Sequence, residues 1–353
     1  MASSALDAVL PTEGRTRRHP HTIASALAIA SILGVFAVVE VWHLLESERA
    51  AIALLPVLAA LAGALFLGRC LLASAGTTVE TSRAVAAKDV FAVALGALAT
   101  QSLAVSLGHD IVLASGLVGL FGSLAVRPHA LAIFCGSFVG MTSPAVMPLA
   151  WTAVAGLAAG LLFASIRPHF VGLGGRLGTT AFAVCATTAA LGGADLPSAW
   201  HGTGGALPTE LLLPMAGLGG GAAWMVSTLV RRSPLDVVGA AAAVGILAAL
   251  AVPHLDAEHA GLLGAAAYIG AFVGMSASAR LPTAGAYVLA GVLGGVGLHL
   301  MAGAFPGVGG KLGTLALVSV TAVHAVHRWV RFIIEPTPTD ATGDLGLAPD
   351  SQG

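Results

Sequence analysis

The chain has 353 residues, 57% of them hydrophobic and only 9% charged, with a mean hydropathy of +0.91. A water-soluble domain of this size carries far more charge, so the composition points to a polytopic membrane protein. Sixteen Lys and Arg against 17 Asp and Glu leave a net charge of -1, which excludes the basic surface that nucleic-acid binding needs.

Backbone amides in hydrocarbon must be bonded within their own segment, and apolar runs of about 15 to 21 residues without period-two alternation select helices over barrel strands. In chain order the predicted helices begin near Thr22, Ala51, Lys88, Ile111, Ala130, Met147, Leu177, Leu211, Asp236, Ala260, Thr283 and Leu312. The expected fold class is therefore all-α, a membrane helix bundle of about 12 transmembrane helices. Residues 1–21 and 335–353 are polar tails expected to be disordered and cytoplasmic, and 193–210 is a loop on the outer side. The basic stretch Arg15-Thr-Arg-Arg-His is expected to anchor the first helix inside rather than introduce a cleaved signal, because no convincing small-residue cleavage site follows before Glu40 and Trp42.

Basic residues favour the cytoplasmic side of membrane loops. With twelve crossings and the N-terminus inside, every Lys and Arg except Arg49 and Lys311 falls inside. Folding the stretches around Phe138 and Phe272 back as re-entrant loops would leave Arg167, Arg176, Arg231 and Arg232 outside, so charge favours full crossings. The Ala-rich and Gly-rich composition with short loops suggests a bacterial inner membrane, with both termini cytoplasmic.

The chain repeats itself. Residues 136–148, GSFVGMTSPAVMP, match residues 270–282, GAFVGMSASARLP, and residues 172–179, GLGGRLGT, match residues 307–314, GVGGKLGT. The two matches occur in the same order at offsets of 134 and 135, which composition bias does not produce. The unit is about five helices, residues 88–192 and 211–334, preceded by two leading helices in residues 22–87. An odd number of crossings per unit predicts that the second copy lies inverted, bringing the FVGM segments together near the midplane as in many transporters. In helix count alone this plan resembles that of amino-acid symporters and, without the leading pair, urea channels.

The repeated segments supply the candidate site. Gly136, Gly140, Gly270 and Gly274 have small-xxx-small spacing and are followed by hydroxyl-rich turns, which fits either a broken helix lining a solute path or close helix packing. On the first reading Gly140, Met141, Thr142 and Ser143 with Gly274, Met275, Ser276 and Ser278 form the narrow part of a path. In the second motif, Gly174, Gly175, Arg176 and Thr179 and their counterparts Gly309, Gly310, Lys311 and Thr314 place free amides and a cation at a helix start, an arrangement that attracts anions. The spacing is not that of a nucleotide-binding loop, since Leu312 and Gly313 stand where Ser or Thr must follow the lysine.

Ionisable residues are nearly absent from the predicted span centres. Glu40, Asp89, Asp110 and Asp236 fall near ends, and Gln101 with Thr100 and Ser102 is the strongest polar cluster within a span. This favours a facilitator or channel over a proton-driven pump. His254 and His259 are five residues apart, a poor spacing for one helical face, so no metal site is assigned; the single cysteines Cys70, Cys135 and Cys185 read as core residues. No HExxH, GxSxG or paired-carboxylate pattern occurs, so no catalytic residues, enzymatic activity or cofactors are expected. The expected function is a transporter or channel for a small, anionic or dipolar solute passing between the repeats. The alternative is a non-transporting membrane component that binds a partner protein or lipid. The expected partners are the lipid bilayer, the solute and a second copy of the chain, with no nucleic acid.

Overall fold

The structure is a computed structural model that describes residues 83–334 apart from 109, 168–169 and 193–206. The two leading helices, both tails, most of the 193–210 loop and Cys70 lie outside the described residues. Within them the chain is all-α, with no strand. Helices α1 (Arg83–Ser106), α2 (Ile111–Ala125), α3 (Ala130–Gly140), α4 (Leu149–Ile166) and α5 (Arg176–Leu191) form a first set. Helices α6 (Leu212–Arg232), α7 (Val237–Leu255), α8 (Ala260–Gly274), α9 (Ala284–Leu300) and α10 (Lys311–Ile334) form a second. All but α1 begin within two residues of the sequence-predicted starts; the described part of α1 already runs from Arg83, upstream of Lys88.

Local chemistry sets several of these boundaries. Asp110 caps α2 by accepting the Leu113 amide at 2.9 Å, and Asp236 caps α7 by accepting the Gly239 amide at 2.7 Å. Thr283 does the same for α9 through the Ala286 amide. A turn containing Pro128 precedes α3, and Gly175 in the left-handed region precedes α5. Among the described residues four segments are long and apolar enough to cross a membrane: Ala86–Ser106, Leu149–Ile166, Thr209–Arg232 and Val237–Leu255. By contrast α3, with 11 residues, is about 16 Å long against a hydrocarbon core of about 30 Å.

Packing runs in parallel through the two sets. α1 lies against α3 and α4 as α6 lies against α8 and α9; α2 packs on α3 as α7 packs on α8; α5 touches α3 and α4 as α10 touches α8 and α9. The sets meet where α2 packs on α7 and α5 packs on α10. Small residues set these distances. Gly136 and Gly140 of α3 rest on the α1 backbone at Val93 and Ala97, and Gly270 and Gly274 of α8 rest on α6 at Gly219 and Ala223. α5 and α10 approach most closely at Gly178 and Gly313, where a Cβ on Gly178 would lie 2.6 Å from the Gly313 Cα. The exterior is apolar in the opposite sense to a soluble protein, with Phe91, Leu95, Phe121, Leu161, Leu213 and Trp329 all exposed.

These contacts separate glycines that are required from those that are not. Gly178→Leu forces α5 off α10 and is expected to cost about 3 kcal/mol, the upper part of the overpacking range. Gly217 is exposed on α6 with open space around it, so Gly217→Ala is expected to stabilise by about 0.5–1 kcal/mol. Thermal unfolding of the two detergent-solubilised variants checks both signs.

Candidate functional site

A helix that stops inside a bundle leaves its last carbonyls and the following amides in need of partners. α3 stops at Gly140 and α8 at Gly274, and each is followed by a turn rather than another helix. The partners come from the other set. Ser143 N donates to Gly307 O at 2.8 Å, and Gly309 N donates to Thr142 Oγ1 at 3.0 Å. At the matching position Ala277 N donates to Gly172 O at 2.9 Å, and Gly174 N donates to Ser276 Oγ at 3.0 Å. Each FVGM turn is thus bonded to the glycine loop of the opposite set, and the sequence-predicted residues meet in two clusters. Met141 is buried beside the first turn and Met275 half-buried beside the second; Ser278 is exposed.

The glycine loops share one backbone course. Positive φ occurs at Phe170, Gly172 and Gly175 (57°, 76° and 85°) and at Phe305, Gly307 and Gly310 (51°, 72° and 82°). A bulky residue in the left-handed region is strained, so the paired phenylalanines mark a conformation that the surroundings impose. Sequence comparison beginning at Gly172 missed them, although Phe170 and Phe305 are themselves a match at the same offset. Phe305 packs edge-on against Phe182 of α5, with ring centroids 5.2 Å apart.

The groups expected to attract an anion are engaged with the protein. Lys311 is buried, and its Nζ donates to the carbonyls of Met301, Ala302 and Ala304 at 3.0, 3.3 and 2.6 Å. It therefore closes the carboxyl end of α9. Arg176 reaches the equivalent place in the first set, donating to the Arg167 carbonyl at 3.4 Å. Thr179 and Thr314 turn back to the Gly175 and Gly310 carbonyls one helical turn earlier, and the Gly174 and Gly309 amides donate to hydroxyls as described. Gly140 and Gly274 face α1 and α6, so their geometry is that of close packing.

Where α3 and α8 meet, Phe134, Phe138, Tyr268 and Phe272 form one ring cluster with centroid separations of 4.3 to 6.4 Å, all fully or almost fully buried. Beside it runs a hydrogen-bonded chain in which Ser115 Oγ lies 2.9 Å from both Ser137 Oγ and Tyr268 Oη. The FVGM segments do come together, and rings fill their contact.

Polarity is not shared equally between the sets. Gln101 of α1 is buried and donates through Nε2 to the Thr142 and Met147 carbonyls at 3.1 and 2.9 Å, pinning both ends of the first turn. Its Oε1 and the neighbouring Thr100 Oγ1 are buried without a hydrogen-bond partner among the described residues. In the second set the Ser276 carbonyl, which corresponds to that of Thr142, accepts instead from Tyr287 Oη at 2.7 Å. Asp89 of α1 is buried between His129 Nδ1 at 2.7 Å and Arg167 at 2.8 Å. In the connection between α7 and α8, Asp256 accepts from the backbone and ring of His259, which hold its carboxyl below the usual range. Among the described residues no three His, Cys, Asp or Glu side chains gather as metal ligands would.

No known protein family, curated protein or solved structure matches the chain.

The carbonyl cage around Lys311 predicts a structural cost for its removal. Hydrogen bonds to a charged donor are worth about 1.5–3 kcal/mol each, so Lys311→Met is expected to destabilise by about 2–3 kcal/mol, allowing for relaxation of the turn. Arg328→Met, at an exposed position on the same helix, is expected to stay within about 0.5 kcal/mol of the parent. Thermal unfolding of the two variants decides whether the buried cation holds the turn.

Proposed function

We propose that the chain is a multi-pass membrane transporter or channel that moves a small dipolar solute at the interface of two inverted five-helix repeats. The observation that carries this reading is the pair of matched connections between FVGM turns and glycine loops. Inversion puts the Thr142/Ser143 connection and the Ser276/Ala277 connection near opposite faces of the membrane, with the ring cluster between them. They then act as two gates, and the described conformation has both shut. Each gate is made of two hydrogen bonds worth about 1 kcal/mol apiece when water replaces them, so opening with entry of water costs about 2 kcal/mol. A state at that height is populated at the percent level, enough for a working minor conformation.

The solute class follows from which polar groups are engaged. Arg176 and Lys311 serve helix ends, so an anion gains little from them. Gln101 Oε1, beside the unwound turn, is an acceptor without a donor among the described residues, and the neighbouring Thr100 hydroxyl can accept or donate. A neutral solute bearing N–H or O–H groups suits them. The apolar exterior and the four long apolar helices support a bilayer setting. We assign the bacterial inner membrane with both termini cytoplasmic, and a homo-oligomer is compatible with this arrangement.

The sealed contact between α3 and α8 favours a second reading, a non-transporting membrane component that assembles with another protein or holds lipid. Proteoliposome flux with urea, glycerol, formate and nitrate separates the two. Flux of none of them, together with a stably co-purifying protein, favours the second.

Gating and inversion are each open to a direct test. A Cβ on Gly307 would lie 3.0 Å from that of Ser143, and one on Gly172 would lie 2.9 Å from that of Ala277, about half an ångström or more inside the roughly 3.5–4.5 Å that a disulfide spans, and both glycines have positive φ, so each bridge forms only with a small shift of the glycine loop. In a background with Cys70, Cys135 and Cys185 replaced by Ala, the pairs Ser143→Cys/Gly307→Cys and Gly172→Cys/Ala277→Cys are expected to stop flux when oxidised and to restore it on reduction. Flux that persists with both bridges formed rules out gating at these turns. Inversion predicts that Val171→Cys and Pro306→Cys, both on exposed loop positions, react with a membrane-impermeant maleimide from opposite sides. Reaction from one side overturns it.

A further inference from the structure

A cavity of about 690 Å³ lies on the outside of the first helix set, open to the surroundings and lined by α1, α2 and the start of α3. Its walls are apolar, with Leu95 and Leu103 on one side and Leu117 and Phe121 on the other; among the described residues the only polar ones lining it are Lys88 and His129. Both stand at the same end, because His129 is bonded to Asp89, the residue after Lys88. From Lys88 to Leu103 the groove runs about 22 Å at 1.5 Å per residue, longer than the roughly 15 Å that one leaflet contributes to a hydrocarbon core.

The charge at that end is positive. Asp89 is buried and held by Arg167 and His129, so it does not neutralise the exposed Lys88, and Arg127 is exposed in the adjoining turn. α3 begins at the next residue after His129, so its amino end adds partial positive charge there. We infer that this groove is a binding site for one anionic phospholipid, its acyl chain lying along α1 and α2 and its phosphate at Lys88. The inference rests on the membrane-spanning reading and not on transport. The corresponding place in the second set has Leu263 where His129 stands and Met215 where Asp89 stands, so the polar end is particular to the first set.

The test uses the full chain, delipidated in detergent and titrated with phosphatidylglycerol or phosphatidylcholine in mixed micelles, with thermal unfolding as the readout. Phosphatidylglycerol is expected to raise the Tm at lower concentration than phosphatidylcholine, and Lys88→Ala to weaken its apparent affinity about fivefold, the effect of one interfacial lysine. Ala99→Trp, which fills the groove from an exposed position, is expected to abolish the shift while leaving unfolding in lipid-free detergent unchanged. Equal shifts with the two lipids, a shift retained in Ala99→Trp, or no shift with either lipid overturns the site; the last result means that the groove is already filled by the chain or a partner. A phosphatidylglycerol shift without solute flux leaves the lipid site standing and removes only transport.

Discussion

The constraint on which the rest of this structure depends is the need of backbone groups inside an apolar bundle for a partner. A continuous helix meets it internally, but α3 and α8 end partway and release amides and carbonyls into an interior where an unmet group costs about 1–3 kcal/mol. Each set of five helices lacks the donors and acceptors for its own turn and obtains them from the glycine loop of the other. Neither set is complete alone. The glycine loops can serve because their positive-φ course carries Gly172 O and Gly307 O to within hydrogen-bond reach of the turns, and because Gly174 and Gly309 have no side chain to hold them off. The strain at Phe170 and Phe305 is a local cost of that course, offset by the bonds it makes possible.

Matched and unmatched positions carry different information. Gly136 over Val93 corresponds to Gly270 over Gly219, which aligns Gln101 with Ser227 and Asp89 with Met215. Contacts present in both sets fall on matched stretches of sequence, and they explain packing. Where the two sets differ, a separate reason is needed. A buried glutamine pins the first turn and leaves its Oε1 without a hydrogen-bond partner among the described residues, whereas a tyrosine hydroxyl, whose one polar atom is engaged, pins the second. The charged triad around Asp89 likewise has no counterpart at Met215. Polarity is therefore concentrated in the first set, and that set also bears the cationic groove.

Much of this was legible in sequence, for physical reasons that also explain the failures. Apolar runs bounded by Asp110, Asp236, Thr283 and the paired glycines mark helix starts because capping is local chemistry, and the structure begins its helices there. Self-similarity singled out the turns and loops because the same backbone course demands the same glycines. Which neighbour a glycine faces is a tertiary matter: spacing alone left Gly140 and Gly274 open between a path and close packing, and their contacts with α1 and α6 are those of packing. The cations misled for a related reason. A lysine at a helix start resembles an anion site until the preceding helix is seen to end beside it, presenting the Met301, Ala302 and Ala304 carbonyls to Lys311. The Asp89, His129 and Arg167 triad joins residues 40 and 78 positions apart and has no local signature.

The contacts between the two sets also say where relative motion is easiest. α2 meets α7 largely through small and apolar side chains: Gly116 lies against Ala242 and Ile246, and Gly119 lies between Ala242 and the Phe134 ring. Such a surface slides without breaking hydrogen bonds. Its polar tie, Ser123 to Asp236 at 2.7 Å, is at the end where α7 begins, and the Ser115 to Tyr268 bond is at the ring cluster. A rotation that opens one turn–loop connection about the ring cluster leaves the Ser115 and Tyr268 hydroxyls near the axis, where displacement is smallest, and separates the distant turns most. Rigid rings at the pivot and weak paired bonds at the periphery are compatible with the proposed rocking, while the hydroxyl chain beside the rings gives the buried Tyr268 hydroxyl the partner that any packing of that ring requires.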